Sequence, residues 1–498
     1  MNSFLDARAV PAGTTIETDL AIVGGGPAGI SLALALADLP IRILLLESGG
    51  MDFEADTQKL YDGKETGVQY LPLDACRLRF LGGSTNHWGG WCRPYDESDF
   101  VVRSWVPHSG WPITRADLEP YFPRAQALVE AGPFIYDKLG GFSDAGDPIK
   151  LGDGGVYTSY FQFSKTKGGV LPTPFGKRYT NELKQSRNLS LYLHANVTGV
   201  RLASDASRVD HLDVATLSGN TFAVKAKFTV LAVGGVENAR ILLASNDVVP
   251  AGVGNANDLV GRFFADNPIP RDTATLVLFD GDIPAAYPNA TVANGAHIRA
   301  TLSPTENFKR ERHVLGSLTT VENHVELDAV GRAAVNATAS AMNIDASAAK
   351  AWSLGCGLEM APDPERRLTL TSERDALGMP RLNLNMRIAD SDFASYRETL
   401  TELGRQLLAG GSGMIQLNRK SRESWLETMD WGDHHLGTTR MHADPKQGVV
   451  DANQQVHGIP NLYVAGSSVF TTCGASNPTM NLVALTLRLA DHLKDILR

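Results

Sequence analysis

Four cysteines in 498 residues, Cys76, Cys92, Cys356 and Cys473, are too few and too scattered for a disulfide framework. None forms a C-x-x-C pair, so they read as reduced thiols rather than zinc ligands, and no other metal site is expected. Long apolar runs are also missing. The most apolar stretch, Ile30 to Leu46, is broken by Asp38, Pro40 and Arg42 and cannot span a bilayer. The start, Met1 to Arg8, lacks the basic-then-apolar order of a signal peptide, so the expected location is cytoplasmic. Basic runs are absent too: Lys plus Arg is 46 against 55 Asp plus Glu, a formal charge of −9. That balance argues against nucleic acid or an anionic membrane as partner. There is no internal repeat and no low-complexity linker. What remains is ordinary globular composition, 43% apolar and 20% charged, on a chain long enough for more than one domain.

Against that plain background the glycines are the informative residues. Asp19 to Val23 reads as a buried strand, Ile30 to Leu39 as an apolar helix, and Ile41 to Leu46 as a second buried strand ending at Glu47. Between the first strand and the helix, Gly24, Gly26 and Gly29 have the spacing G-x-G-x-x-G. Such glycines serve a tight turn, close backbone approach to phosphate, and close helix packing, while the helix N-terminus offers free N–H groups to a pyrophosphate. Glu47 stands where a carboxylate can accept hydrogen bonds from ribose hydroxyls. This unit alone does not separate FAD from NAD.

Further along, Thr114 to Asp117 has capping-box spacing and predicts a helix to about Ala131. From about Asn188 to Val233, Leu189–Leu193, Val197–Leu202, His211–Leu217 and Thr221–Val224 read as a small meander of strands. Phe228–Val233 is predicted as a separate buried strand before Gly234-Gly235 and a helix from Val236 to Ala244. A more polar, strand-rich block covers about 270 to 429, with a turn at Asp375–Pro380. Strand Asn461–Ala465 and a helix from about Asn477 to Leu497 close the chain.

With both ends in hand, the chain resembles the glucose–methanol–choline (GMC) oxidoreductases, in particular the bacterial branch near pyranose oxidase and the FAD-dependent sugar and alcohol dehydrogenases. The carrying motifs are IVGGGPAG with LLLESGG, RFLGGSTNHWGG, VLAVGGVENARILLAS, DLVGRFFADNP, HHLGTTRM, and GIPNLYVAGSSVF with ASNPTMNLVAL, in that order. The resemblance implies an α/β (α+β) fold: a discontinuous Rossmann-like FAD-binding domain of glutathione-reductase type with a sheet-based substrate domain. The expected division is 1–150 for the FAD-binding domain with a flavin-covering loop and 151–187 for part of the substrate domain. The FAD-binding domain resumes over 188–270, the substrate domain over 271–429, and the FAD-binding domain with the catalytic motifs over 430–498.

Carried over by motif, His434 takes the place of the family's active-site histidine, and Asn477 that of its His-or-Asn partner. The implied FAD contacts are Gly24, Gly26, Pro27, Ala28, Gly29, Glu47 and Ser48 at the cradle, and Gly82, Gly83, Ser84, Asn86, His87, Trp88 and Gly89 in the glycine-rich stretch. Val197, Gly234, Gly466, Ser467, Asn477 and Thr479 complete the set. Ala465-Gly466 stands where the family usually carries an acid, which leaves the pyrophosphate contact there to backbone N–H groups. His87 falls where some members bond covalently to the flavin; covalent and non-covalent FAD both stay open. His435 is expected to pack or to support from behind, while His442 and His457 have no expected chemical role. Trp88, Trp91, Trp105, Trp111, Trp425 and Trp431 cluster around these motifs, where rings can stack on a sugar or shield the flavin.

The implied chemistry is oxidation of a CH–OH group, with hydride passing to the flavin. His434 would take the hydroxyl proton and Asn477 would orient the substrate oxygen. The expected partners are a small alcohol or sugar and an electron acceptor, oxygen or a quinone. A second reading on the same scaffold is a flavin-containing lyase of hydroxynitrile-lyase type.

Overall fold

Leu20 to Val23 is almost wholly buried, so this run needs neighbours on both edges and cover on both faces. The computed structural model, which describes residues 4–136, 142–165 and 171–497, supplies both. Strand Thr15–Val23 lies between Ile43–Leu46 and Thr221–Leu231, parallel to each. Leu189–Leu193 and then Phe4–Asp6 extend the parallel sheet beyond Ile43–Leu46.

Two expectations change here. Thr221–Val224 and Phe228–Val233 are one strand, Thr221–Leu231. Its free edge is shared: Thr221–Val224 takes the antiparallel strand Val209–Ala215, and Thr229–Leu231 takes Leu462–Val464 in parallel. Asn196–Leu202 continues the antiparallel side. Leu189–Leu193 belongs to the parallel core rather than the meander, because an alternating run fits either ladder and only its tertiary neighbours decide.

Helix Pro27–Ala35 packs against the closing helix Pro478–Leu497 and against Phe175–Gln185. The capping box at Thr114 forms: Asp117 N donates to Thr114 Oγ1 and Thr114 N to Asp117 Oδ2. The predicted long helix does not. One 3-10 turn, Arg115–Asp117, gives way to a short helix, Phe122–Leu128, because Pro120 lacks an N–H and disfavours helical backbone before it.

The second large sheet is antiparallel throughout. Its order is Gly413–Leu417, Ala274–Leu278, Lys350–Leu358, Ser317–Val325, Ala296–Pro304, Val156–Phe163 and Trp91–Cys92, with Thr291–Ala293 on Ala296–Pro304. A smaller sheet joins Gly63–Gly67 to Pro380–Met386 and Arg367–Arg374. Its turn is the predicted one: Asp375 Oδ1 accepts from Leu377 N and Met379 N, and Gly378 takes φ 79°. A two-stranded ladder, Pro268–Pro270 against Met429–Trp431, ties the second region to the segment carrying His434. All four cysteines are buried and unpaired, and no helix among the described residues is long and apolar enough to cross a membrane.

Helix Pro27–Ala35 sits so close to the turn before it that a Cβ on Gly29 would lie 1.9 Å from the Gly24 carbonyl oxygen. Gly29→Ala should therefore cost about 1–3 kcal/mol through overpacking, read as a lower urea or thermal midpoint. An unchanged midpoint would show that the helix can back away from the turn freely.

Candidate active site

Four parallel strands end at one groove. Val23 runs into Gly24 and Gly26, Leu46 into Glu47 and Ser48, Leu231 into Ala232 and Gly234, and Val464 into Gly466 and Ser467, and all of these line it. The groove encloses about 370 Å³, within the range of small-molecule and cofactor sites, and lies where doubly wound sheets bind ligands. Gly24 (φ 106°) and Gly466 (φ 108°) turn the chain in the left-handed region that glycine favours.

The three cradle glycines have different tasks. Gly24 and Gly29 face protein: a Cβ on Gly24 would lie 2.6 Å from the Ala232 carbonyl oxygen. Gly26, at φ −81°, caps helix Pro27–Ala35, and a Cβ there would meet no protein atom within 4 Å. Its missing side chain therefore keeps the groove open rather than serving packing. The first intrahelical bond runs from Ile30 N to Gly26 O, at 3.0 Å, so the N–H groups of Ala28 and Gly29 lie in the turn that an anion can use.

Glu47 is buried, and its carboxylate accepts from Gly25 N at 2.7 Å, Gly49 N at 2.8 Å and Ser48 Oγ at 3.1 Å. It pins the glycine turn to the end of the neighbouring strand while facing the groove. Pro27, Ala28, Gly83, Ser84, His87 and Trp88 line the same groove, as do Gly89, Asn477 and Thr479.

Four expected contacts lie off its wall. Gly29 is under the turn, as above. Gly82 (φ 99°) faces Gly176 N. The Asn86 amide donates inward to the carbonyls of Leu81 and Gly83. Val197 is buried in its strand opposite Val214.

His434 is enclosed by polar groups. Its Nδ1 is 2.8 Å from Asn267 Oδ1, and its Nε2 is 3.1 Å from Asn477 Nδ2. Asp266 Oδ1 accepts from the backbone N of His434 and of Asn267. Tyr70 Oη donates to Asp266 Oδ2 at 2.5 Å. Burial holds the His434 ring down at about 4, so it is a neutral imidazole near pH 7. Burial raises Asp266 to about 6, and burial with Asp266 and Asp430 nearby raises Asp433 to about 7.

Asn267, Asp266 and Tyr70 were not picked out by motif reasoning. The only signal was the Asp-Asn-Pro triplet inside DLVGRFFADNP, which carries no charge-relay pattern. His435 also faces the groove, and its Nε2 has no hydrogen-bond partner among the described residues. Burial, then the Arg77, His434 and His87 charges, push it down to about 3. Cys76, Asp433 and His435 bring ligand-type atoms within 4.8 Å of one another. Burial pushes the Cys76 thiol up to about 12.

Of the tryptophans, Trp88, Trp91 and Trp431 line the groove. Trp105 stacks on His313, and Trp111 donates to Thr472. Trp425 packs on Phe393 and Tyr396, away from the groove wall.

The GMC oxidoreductase family model matches residues 362–486. The fructose dehydrogenase large subunit of Gluconobacter japonicus is 22% identical, over 97% of this chain and 99% of its own. The 2-methyl-1,2-propanediol dehydrogenase of Mycolicibacterium austroafricanum is 23% identical, over 96% and 95%. Among solved structures, pyridoxine 4-oxidase from Mesorbium loti superposes with a TM-score of 0.58 at 19% identity, covering 96% of this chain and 99% of that one. That last likeness is one of fold.

The residues present fit FAD. The space left by the Gly26 side chain, the open helix turn at Ala28 and Gly29, and the groove-facing Glu47 form a dinucleotide cradle. His434 and Asn477 line the same groove. Because extended backbone at Gly26 tolerates any residue, Gly26→Val should fold with a near-normal urea midpoint yet purify without the yellow absorbance of FAD. A normal FAD-to-protein ratio in that variant would remove Gly26 from the cradle.

Proposed function

We propose that the chain is an FAD-dependent oxidoreductase of the GMC family acting on CH–OH donors, with His434 as its base and Asn477 as its substrate-orienting group; the family-model match and the similarity to two dehydrogenases support that reading. The observation that carries this reading is the 3.1 Å pairing of His434 Nε2 with Asn477 Nδ2 on the groove wall. When bound, FAD supplies the hydride acceptor.

The rest falls to the chain. An entering hydroxyl donates its proton to His434 Nε2 in place of the Asn477 amide. That amide turns its N–H to the alcohol oxygen and holds it, which limits the directions the carbinol C–H can take. The O–H bond breaks toward Nε2, leaving the ring doubly protonated and the oxygen ready to form the carbonyl. Trp88, Trp91 and Trp431 supply flat apolar walls that suit a sugar ring or an aryl glycoside and displace water. Similarity to a fructose dehydrogenase subunit and a diol dehydrogenase supports a polyhydroxylated or sugar-like donor. We place the enzyme in the cytoplasm, passing electrons to oxygen or a quinone.

Anaerobic flavin reduction across D-glucose, D-fructose, phenyl β-D-glucoside and benzyl alcohol tests the reading. His434→Ala should keep FAD but slow reduction by the best donor at least about a hundredfold, and Asn477→Ala should cost less. Near-normal reduction in His434→Ala removes that residue from the mechanism. Because burial keeps the ring neutral down to about 4, the wild-type rate should stay level on acidification to about pH 5 and fall only below it. A fall centred near the ordinary histidine value of about 6.5 would show that the ring is solvated in the working enzyme.

At His87 we take FAD to be non-covalent. Asn86, whose amide is engaged by Leu81 and Gly83, stands where linked members carry a small hydroxyl residue. Acid precipitation should leave the flavin in the supernatant, and a yellow pellet would establish a covalent bond.

A further inference from the structure

We propose that Asn267 is a positioning residue that fixes the ring tautomer of His434, keeping Nδ1 protonated and Nε2 free to accept a proton. The inference rests on His434 being the base, and it concerns how that base is held ready.

The orientation of the Asn267 amide is set by its surroundings. Its Nδ2 donates to two backbone carbonyls, Leu358 O at 2.8 Å and Gly474 O at 2.9 Å. Flipping the amide would press its oxygen against both, so the NH2 belongs there. Oδ1 is thereby forced toward His434 Nδ1, 2.8 Å away. An amide oxygen only accepts, so Nδ1 must carry the proton. In a neutral imidazole Nε2 then keeps its lone pair, and that atom faces the Asn477 amide.

The arrangement is built rather than incidental. Asn267 is 3% exposed, and Gly432 N donates to its carbonyl at 3.0 Å. A Cβ on Gly432 would lie 2.7 Å from His434 Nδ1, so glycine there gives the ring its berth. Gly474 lies three residues before Asn477, so one amide ties together the ring of the base, the strand Lys350–Leu358 and the loop carrying the substrate-orienting residue.

Asn267→Ala removes the acceptor, and Asn267→Asp keeps one. The titratable groups around the ring are Asp266 below its backbone, Asp433 and His435 beside it in sequence, and Tyr70 on Asp266. The Arg103–Glu359 pair lies beyond Leu358. All of them are left in place by both variants.

The experiment is 15N NMR of histidine-labelled holoenzyme, with the His434 signals assigned by their loss in His434→Ala, together with anaerobic reduction by the best donor of the panel. Wild type should show a protonated Nδ1 and an unprotonated Nε2. Asn267→Ala should move proton occupancy to Nε2 and slow reduction about 10- to 100-fold, the scale on which a metal-bound histidine suffers from losing its orienting partner. Asn267→Asp should keep Nδ1 protonated and recover much of the rate: one oxygen still accepts from the ring, while the other, held against Leu358 O and Gly474 O, keeps its proton and donates to one of them. A purely structural Asn267 would leave the His434 tautomer of Asn267→Ala as in wild type.

An unchanged His434 tautomer in Asn267→Ala overturns the proposal. If that variant fails to hold FAD, Asn267→Asp decides alone: loss of the Nδ1 proton there overturns the proposal, and its retention with reduction close to the wild-type rate supports it. Should His434→Ala itself reduce flavin normally, the reading of His434 as base falls instead, which is a separate result.

Discussion

The site depends on one short antiparallel pairing, residues 265–270 against 429–436. Pro268–Pro270 pairs with Met429–Trp431, and Ala265 bridges Leu436. Between those two anchors the chain cannot shift, so Asp266 and Asn267 are carried to His434 although they lie more than 160 residues away in sequence. The pairing also places a carboxylate in the protein interior. Asp266 is fully enclosed and tolerated because three backbone N–H groups, those of Asn267, Asp433 and His434, and the Tyr70 hydroxyl satisfy it. Loosening the pairing would strand that charge and lose the orientation of the His434 ring together.

A second constraint shapes the other side of the groove. Arg77 donates to Leu73 O, Tyr61 O and Glu237, while Arg79 and Arg240 share Glu237, and Arg240 also pairs with Asp375. Glu237 lies in helix Gly234–Ala244, and Asp375 in the turn of the small sheet. The buried ion network therefore locks the segment before the glycine-rich stretch to both regions. Such networks need every member satisfied. This one accounts for the rigid wall at Arg77 that the sequence, showing only Arg-Leu-Arg, does not advertise.

What the sequence made legible was local. G-x-G-x-x-G, the apolar run Leu44–Leu46 and the Asp375–Pro380 turn each encode their geometry in a few adjacent residues, and each appears in the fold. The pairing of His434 with Asn477 was legible because each sits in a distinctive motif. What was not legible depends on distant neighbours. Thr221–Leu231 reads as two strands because Lys225 and Lys227 interrupt the apolar pattern, yet both lie within a continuous ladder beside Thr15–Val23. Leu189–Leu193 alternates like a meander strand and is instead recruited by Ile43–Leu46. Asn267 is invisible for the same reason: an asparagine before proline announces a turn, and nothing nearby announces the imidazole it will meet.

The choice of an amide rather than a carboxylate behind His434 has a consequence for the chemistry. A carboxylate would stabilise the imidazolium and raise the ring's proton affinity, so the resting base would be partly protonated near neutrality. The Asn267 oxygen orients the ring without that effect, and burial keeps it neutral. The cost is a ring of low proton affinity in a poorly solvated pocket. Acidic groups are nevertheless close by: Asp266 accepts from the His434 backbone, and Asp433 precedes it, with values raised to about 6 and about 7. Neither touches the imidazole, so neither protonates the ring at rest. On acidification both lose their charge before the ring gains one, so the imidazole stays neutral to about pH 4 through burial alone. The site thus divides two tasks: a neutral amide sets the direction of the ring, and burial sets its charge.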